Sequence, residues 1–390
     1  MRKGVLRKGV ALLAALGILG CATGAASARP LEEGTPVEIA SPSAMLLEAD
    51  TGTVIFEKDA DSKRQVASLT KLMTLLIVLE ELQEGSIRLE DEVTVSKAAA
   101  AQVGSQALLD AGAVYPLGDL LRATIIASGN DSACALAEHI AGTEEAFVEM
   151  MNARAAQLGL RDTVYRNCTG LPADGSHTTA RDVARLSCEV IKFPVYFDYA
   201  AIWTDTLKHP SGRTTDLTNT NRLVRFYPGC DGLKTGSADA ARYCLSATAQ
   251  KNGLRLVAVV LGSSASQKRF DEARAMMDYG FATYRRVQIL RTGELLGRQV
   301  PVKMGGVDQV EAAVGSGLTM LMKAGQEKQL TLEVELPQEV QAPVAAGDTL
   351  GMVRVLLGGR IIAKLPAVAA TDVPMPGLIE GFLRLLTNWR

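Results

Sequence analysis

"VASLTKLMT", residues 66–74, decides how this chain is read. Ser68 precedes Lys71 by three residues, and a very apolar run follows as far as Leu82. In a helix beginning near Ser68, positions i and i+3 share a face, so the hydroxyl and the amine sit side by side. A serine hydroxyl is a weak nucleophile until a base takes its proton. A lysine amine is such a base only when its ordinary pKa of about 10.4 falls. Burial and a second nearby cation both lower it. A helix start also offers unpaired backbone N–H groups to a developing oxyanion. The same nine residues equally fit a plain helix start. Serine is a common N-cap, and composition alone yields S-x-x-K about once or twice in a chain this long.

Two further stretches bear on that choice. "IIASGNDSACALAEHIAG" (125–142) carries Ser128-Gly129-Asn130 between an apolar segment and a helix. Ser128 is placed to relay protons and Asn130 to bind an amide. "GCDGLKTGSADAARYCLSATA" (229–249) carries Lys234-Thr235-Gly236 on a strand. Lys234 supplies the second cation, Thr235 a hydroxyl, and Gly236 a close backbone approach to a ligand. Taken singly, these are a polar loop capping a helix and a hairpin strand with a solvated lysine. Taken together, S-x-x-K, S-x-N and K-T-G in this order form the signature of penicillin-binding proteins and class A β-lactamases, with Gly129 where aspartate is usual.

On "ASLTKLMT", "SGND" and "DGLKTG" the sequence resembles the D-alanyl-D-alanine carboxypeptidases of the low-molecular-mass penicillin-binding type. The resemblance runs from about Pro42 to the C-terminus. "NCTGLPADGSHTTARDVARL" (167–186) resembles the family's N-x-x-G-L segment, and "QKRFDEARAMMDYGF" (267–281) its R-x-x-E helix. The resemblance implies acyl transfer through a serine ester on Ser68. Lys71 accepts the proton, Ser128 passes one to the leaving amine, and Asn130 and Thr235 position the peptide. Lys234 supplies charge near Ser128, Arg269 holds the substrate's terminal carboxylate, and the N–H groups of Ser68 and Ser237 hold the oxyanion. The implied partners are the peptidoglycan stem peptide and β-lactam inhibitors. No residue identifies itself as a deacylation base. A class A β-lactamase would carry a glutamate in the segment "VYRNCTGLPADG" (164–175), which has none. A D,D-endopeptidase shares the motifs, and a non-catalytic wall-binding protein would not need Ser68 and Lys71.

The whole chain frames these motifs. Its 390 residues are 47% hydrophobic and 22% charged, with a formal net charge of -2, which marks a globular protein and gives no reason to expect nucleic acid. "MRKGVLRK", an apolar run and "ASA" at 26–28 read as a secretory signal over residues 1–28, with an uncleaved anchor as the alternative. Cys21 hints at a lipoprotein site, but Leu19 is bulky for one. Removing four basic residues takes the net charge from -2 to -6.

The pattern implies an α+β fold. An antiparallel sheet built from both chain ends and flanked by helices occupies residues 38–288. A small all-β domain spans 292–372, and an amphipathic helix at 374–390 is a membrane-surface anchor. In that tail Leu378, Ile379, Phe382, Leu385, Leu386 and Trp389 share one helical face. The expected place is therefore outside the cytoplasm, peripheral on the outer face of the cytoplasmic membrane. Five cysteines remain after residue 28, an odd number. They include no C-x-x-C pair and the three histidines are scattered, so neither metal nor cofactor is expected. If residues 236–241 connect a hairpin, Cys230 and Cys244 lie roughly opposite each other, at a spacing that allows a disulfide.

Overall fold

The computed structural model describes residues 37–377. The expected signal peptide, and the tail helix from Leu378 on, lie outside the described residues.

Ser43–Glu48 (β1) and Val54–Lys58 (β2) form the hairpin that the Asp50-Thr51-Gly52 turn predicts. A 3-10 turn, Ala67–Thr70, then leads into the helix Lys71–Glu84 (α1). Residues 71–79 of α1 are all buried, as an all-round apolar helix requires. Gly85, at φ 76°, closes it with a left-handed cap. Glu92–Thr94 (β3), Lys97–Ala100 (α2) and Val114–Pro116 (β4) make a small ribbon with one helical turn inside it. The helices Leu117–Ile126 (α3), Asn130–Ala141 (α4), Glu144–Gln157 (α5) and Ala180–Val190 (α6) fall where the helical spacing predicts. Thr143 and Thr179 cap α5 and α6 through their hydroxyls. Pro194–Ala200 (α7), Thr204–Lys208 (β5), Thr214–Thr218 (β6) and Leu223–Phe226 (α8) fill a stretch where the sequence shows little periodicity. Cys230–Ala238 (β7), Arg242–Lys251 (β8), Leu254–Ser263 (β9) and the helix Ser266–Thr283 (α9) complete this part.

The main sheet has the order β2-β1-β9-β8-β7 and is antiparallel throughout. Its first strands come from the start of the chain and its last three from residues 230–263. Side chains alternate between the faces with period two. Met45, Leu47, Val257, Val259 and Leu261 face the large helical core around α1. Ala44, Leu46, Leu256, Ala258 and Val260 pack on Phe270, Ala273 and Met276 of α9.

The β7–β8 register corrects one expectation. Gly236 pairs with Cys244, and Cys230 pairs with Ala249. The hairpin turns at residues 239–241, so Cys230 lies six residues, about 20 Å along the strand, from the partner of Cys244. All five described cysteines are free thiols, and no Cys230–Cys244 disulfide forms.

The C-terminal region begins one strand earlier than its composition suggests. Tyr284–Leu290 (β10) follows α9 directly. It is succeeded by Leu295–Lys303 (β11), Gln309–Val314 (β12), Leu318–Lys323 (β13), Leu330–Glu335 (β14), Val340–Gln341 (β15), Thr349–Leu357 (β16) and Arg360–Ala369 (β17). β10 pairs with β13, and the rest form one sheet of order β14-β16-β17-β12-β11-β15. Gly358 and Gly359, at φ 56° and 82°, make the tight β16–β17 turn that the Gly-Gly pair predicts.

Candidate active site

Ser68 lies inside the 3-10 turn, where residues i and i+3 nearly eclipse. That geometry brings its hydroxyl to Lys71, the first residue of α1. Lys71 Nζ donates to Ser68 Oγ at 3.0 Å, to Asn130 Oδ1 at 2.5 Å and to the Thr169 carbonyl at 2.8 Å. The lysine is fully buried. Burial pulls its pKa down to about 7, against the smaller raising effects of Cys168 and Asp131. Near neutral pH the amine is therefore deprotonated in a substantial fraction of molecules, with a lone pair facing Ser68. The turn is not capped by a side chain, so the plain N-cap reading of Ser68 fails.

The S-x-N segment enters at the start of α4. Ser128 is buried in the left-handed region at φ 62°, and its Oγ has no hydrogen-bond partner among the described residues. Gly129 is closely neighboured by two polar side chains. A Cβ there would lie 2.5 Å from Ser132 Oγ and 2.9 Å from an Asp131 carboxylate oxygen. The Asn130 backbone N–H donates to the Ser105 carbonyl at 2.7 Å, and its amide nitrogen to the Val103 carbonyl. Asp131, which the sequence does not single out, is fully buried and accepts from the N–H groups of Ala107 and Leu109 at 2.9 and 3.0 Å. It fixes the 103–109 loop against α4.

Strand β7 forms the opposite wall. A Cβ on Gly236 would lie 2.2 Å from the Val66 carbonyl oxygen and 3.3 Å from the Ser68 nitrogen. Gly236 thus makes a close approach to the Ser68 turn, which the strand presses against. Lys234 is fully buried, and its Nζ has no hydrogen-bond partner among the described residues. Burial, with the charges of Lys71 and Arg269, holds its pKa well below the usual lysine value. Thr235 is buried beside it and Ser237 is exposed. Arg269, on α9, donates from Nη1 to the carbonyls of Gly236 and Cys244 at 2.9 and 3.1 Å. These bonds tie both strands to α9, and burial lowers this guanidinium to about 10. Nη2 donates to Ser266 Oγ at 3.3 Å, the guanidinium lies over the rings of Phe270 and Tyr243, and Nε has no hydrogen-bond partner among the described residues.

The N-x-x-G-L segment closes the floor. Asn167 Oδ1 accepts from the N–H groups of Thr169 and Gly170 at 3.2 and 2.6 Å, and its amide donates to the Leu171 carbonyl at 2.9 Å. This self-bonded loop aims the Thr169 carbonyl at Lys71. Sequence reasoning has no means of finding Thr169, because its contribution is a backbone oxygen.

The comparisons with known proteins follow the same geometry. Residues 29–265 match the D-alanyl-D-alanine carboxypeptidase family. This chain is a member of that family. Residues 284–375 match the C-terminal domain of penicillin-binding protein 5. The D-alanyl-D-alanine carboxypeptidase DacF of Bacillus subtilis (strain 168) is 35% identical over 348 residues, 89% of each chain. DacC of Escherichia coli (strain K12) is 33% identical over 342 residues, 85% of this chain and 84% of that one. The fold superposes on penicillin binding protein 5 from Haemophilus influenzae with a TM-score of 0.74 at 29% identity, over 88% of this chain and 100% of the other. The carboxypeptidase is accordingly a serine-type D-Ala-D-Ala hydrolase, and its family implies a peptidoglycan peptide substrate and β-lactam binding. A place of action outside the cytoplasm is consistent with those relatives. No helix among the described residues is long and apolar enough to cross a membrane.

Proposed function

We propose that Ser68 is the nucleophile and Lys71 its base. The observation that carries this reading is the 3.0 Å contact between Lys71 Nζ and Ser68 Oγ, made by an amine whose pKa is pulled down to about 7. Ser68 Oγ attacks the carbonyl carbon between the two terminal D-alanines while Lys71 takes the hydroxyl proton. The oxyanion is held by the N–H groups of Ser68 and Ser237, each donor contributing about 3 kcal/mol. The C–N bond then breaks as the proton held by Lys71 is relayed through the Ser128 hydroxyl to the leaving amine, and free D-alanine departs. Water cleaves the ester and restores Ser68. Asn130 and Thr235 align the peptide, and Lys234 attracts the substrate carboxylate. Arg269 holds the substrate's terminal carboxylate in this reading, while its Nη1 braces β7 and β8 through the carbonyls of Gly236 and Cys244. Residues 38–288 are the acylating unit in this reading.

The test is Ser68→Ala, assayed with a fluorescent penicillin and with a pentapeptide-containing wall fragment. Labelling and D-alanine release should both vanish while the melting curve persists. Normal labelling of that variant would overturn the assignment. Product analysis also separates release of free D-alanine from cleavage of cross-linked dimers, which would mark an endopeptidase.

We further propose that the protein sits on the outer face of the cytoplasmic membrane through residues 374–390. The amphipathic pattern of that tail supports this. So does the apolar rim where the tail departs: Met304, Val307 and Met375 are 68%, 51% and 54% exposed. The rim and the tail are joined by a bond from the Gly306 N–H to the Pro374 carbonyl at 2.8 Å.

A further inference from the structure

The mechanism leaves two buried thiols beside the active site unused. Cys134 lies one helical turn beyond Asn130 on α4, on the same face. Cys168 directly precedes Thr169, whose carbonyl holds Lys71. The two cysteines are 34 positions apart in sequence, so no spacing motif joins them. The fold nevertheless brings their Sγ atoms and a carboxylate oxygen of Glu144, the first residue of α5, together. All three donor atoms lie within 4.8 Å of one another.

This arrangement suits a metal in several respects. Tetrahedral zinc takes thiolate sulfur at about 2.3 Å and carboxylate oxygen at about 2.0–2.2 Å, which sets neighbouring donors roughly 3.5–3.8 Å apart. The observed cluster reaches that spacing with small side-chain shifts. The carboxylate is already oriented: Glu144 Oε1 accepts the Cys168 N–H at 3.0 Å. Such outer contacts are typical of ligating groups. Gln102 Nε2 approaches Cys134 Sγ at 3.8 Å as a donor to sulfur. Glu138 Oε1 lies 3.8 Å from the same sulfur and is held by Ser96 Oγ at 3.0 Å. Both thiols are buried, whereas Glu144 is partly exposed and gives the cluster an edge to solvent.

We propose that Cys134, Cys168 and Glu144 bind a divalent cation of the zinc type, with a water completing the tetrahedron. Binding releases the two thiol protons to solvent, and the cation is neither oxidised nor reduced. The site is structural. It clamps the Asn130 end of α4 to the loop that carries Thr169, and so holds two of the three partners of Lys71 in place.

The test uses untagged protein lacking residues 1–28, purified without oxygen in a phosphine reductant and stripped with a chelator. Cobalt(II) added to it should give a thiolate-to-cobalt charge-transfer band that saturates at one metal per chain and is displaced by zinc(II). Zinc should raise the melting temperature of the stripped protein. Cys134→Ser and Cys168→Ser should each abolish the band. Because either variant could unfold, native mass spectrometry of the unmodified chain provides a second reading: one zinc gained and two protons lost. Absence of the band in stripped wild-type protein overturns the proposal. So does metal uptake that survives in the double variant, or a Cys134–Cys168 disulfide without metal in protein taken directly from the producing cells.

Discussion

Gly170 lies against the carbonyl group of Ala67 so closely that a Cβ on it would stand 2.0 Å from the oxygen. Gly170 is also at φ 84°, where L side chains are strained. Ala67 immediately precedes Ser68, and Gly170 immediately follows the carbonyl that holds Lys71. This contact seats the loop that carries the Thr169 carbonyl against the turn that carries Ser68.

Gly170→Ala should slow penicillin acylation by about 100-fold, the effect of displacing a reacting group by roughly 1 Å. The rate is read from the growth of fluorescent adduct, and circular dichroism checks that the fold persists. An unchanged rate in a folded variant would show that the contact does not set the geometry.

The lowered pKa of Lys71 predicts a pH profile. Its cause is burial, and the value is about 7. Only the neutral amine accepts the serine proton, so acylation should rise with pH up to about 7 and level off above it. Stability follows the same direction. The folded-state pKa lies below the unfolded one, so the unfolded chain binds more protons between about 7 and the ordinary lysine value, and stability rises with pH across that window. Below about 7 this cost is present in full. Acylation rates that stay flat from about pH 5 to pH 9 would rule out Lys71 as the base.

Lys234 sets stability against function. Its Nζ is buried with no hydrogen-bond partner among the described residues, in the repulsive field of Lys71 and Arg269. An uncompensated buried cation costs stability, and an anionic ligand offsets that cost. Lys234→Met should raise the melting temperature while lowering the acylation rate by about 100-fold, as loss of a preorganised electrostatic contact does. A variant that is less stable than wild type, or that acylates normally, contradicts this account of the residue.

Much of this was legible because the relevant signals are local. The apolar run after Thr70 and the Gly358-Gly359 turn each fix an element from a few neighbouring residues. The three motifs likewise single out Ser68, Lys71, Ser128, Asn130 and Lys234 by residue type and order alone. What the sequence hid depends on register or on the backbone. Cys230 and Cys244 looked opposed until pairing placed Gly236 across from Cys244. The glycine of K-T-G turned out to admit the Ser68 turn. Asp131 looked like part of a helix start, yet it organises a loop more than twenty residues earlier in the chain. Cys134 and Cys168 became neighbours only through tertiary packing.

The tail gives the last prediction. Val373 closes the described β region through paired bonds with Val344, at 2.7 and 3.0 Å. Removing residues 374–390 leaves that bridge intact and gives up the bond from Gly306 to Pro374. From Asp372 onward the sequence carries two acids and two arginines, so charge attraction to anionic lipid contributes little and apolar insertion must dominate. The seventeen residues are too few to span a bilayer as a helix. Protein lacking residues 1–28 should sediment with liposomes, and the form also lacking 374–390 should remain in the supernatant while acylating at the same rate. Raising the salt concentration should barely weaken the full-length association, since screening acts on charge and not on apolar burial. Equal sedimentation of the two forms would remove the anchor from the tail.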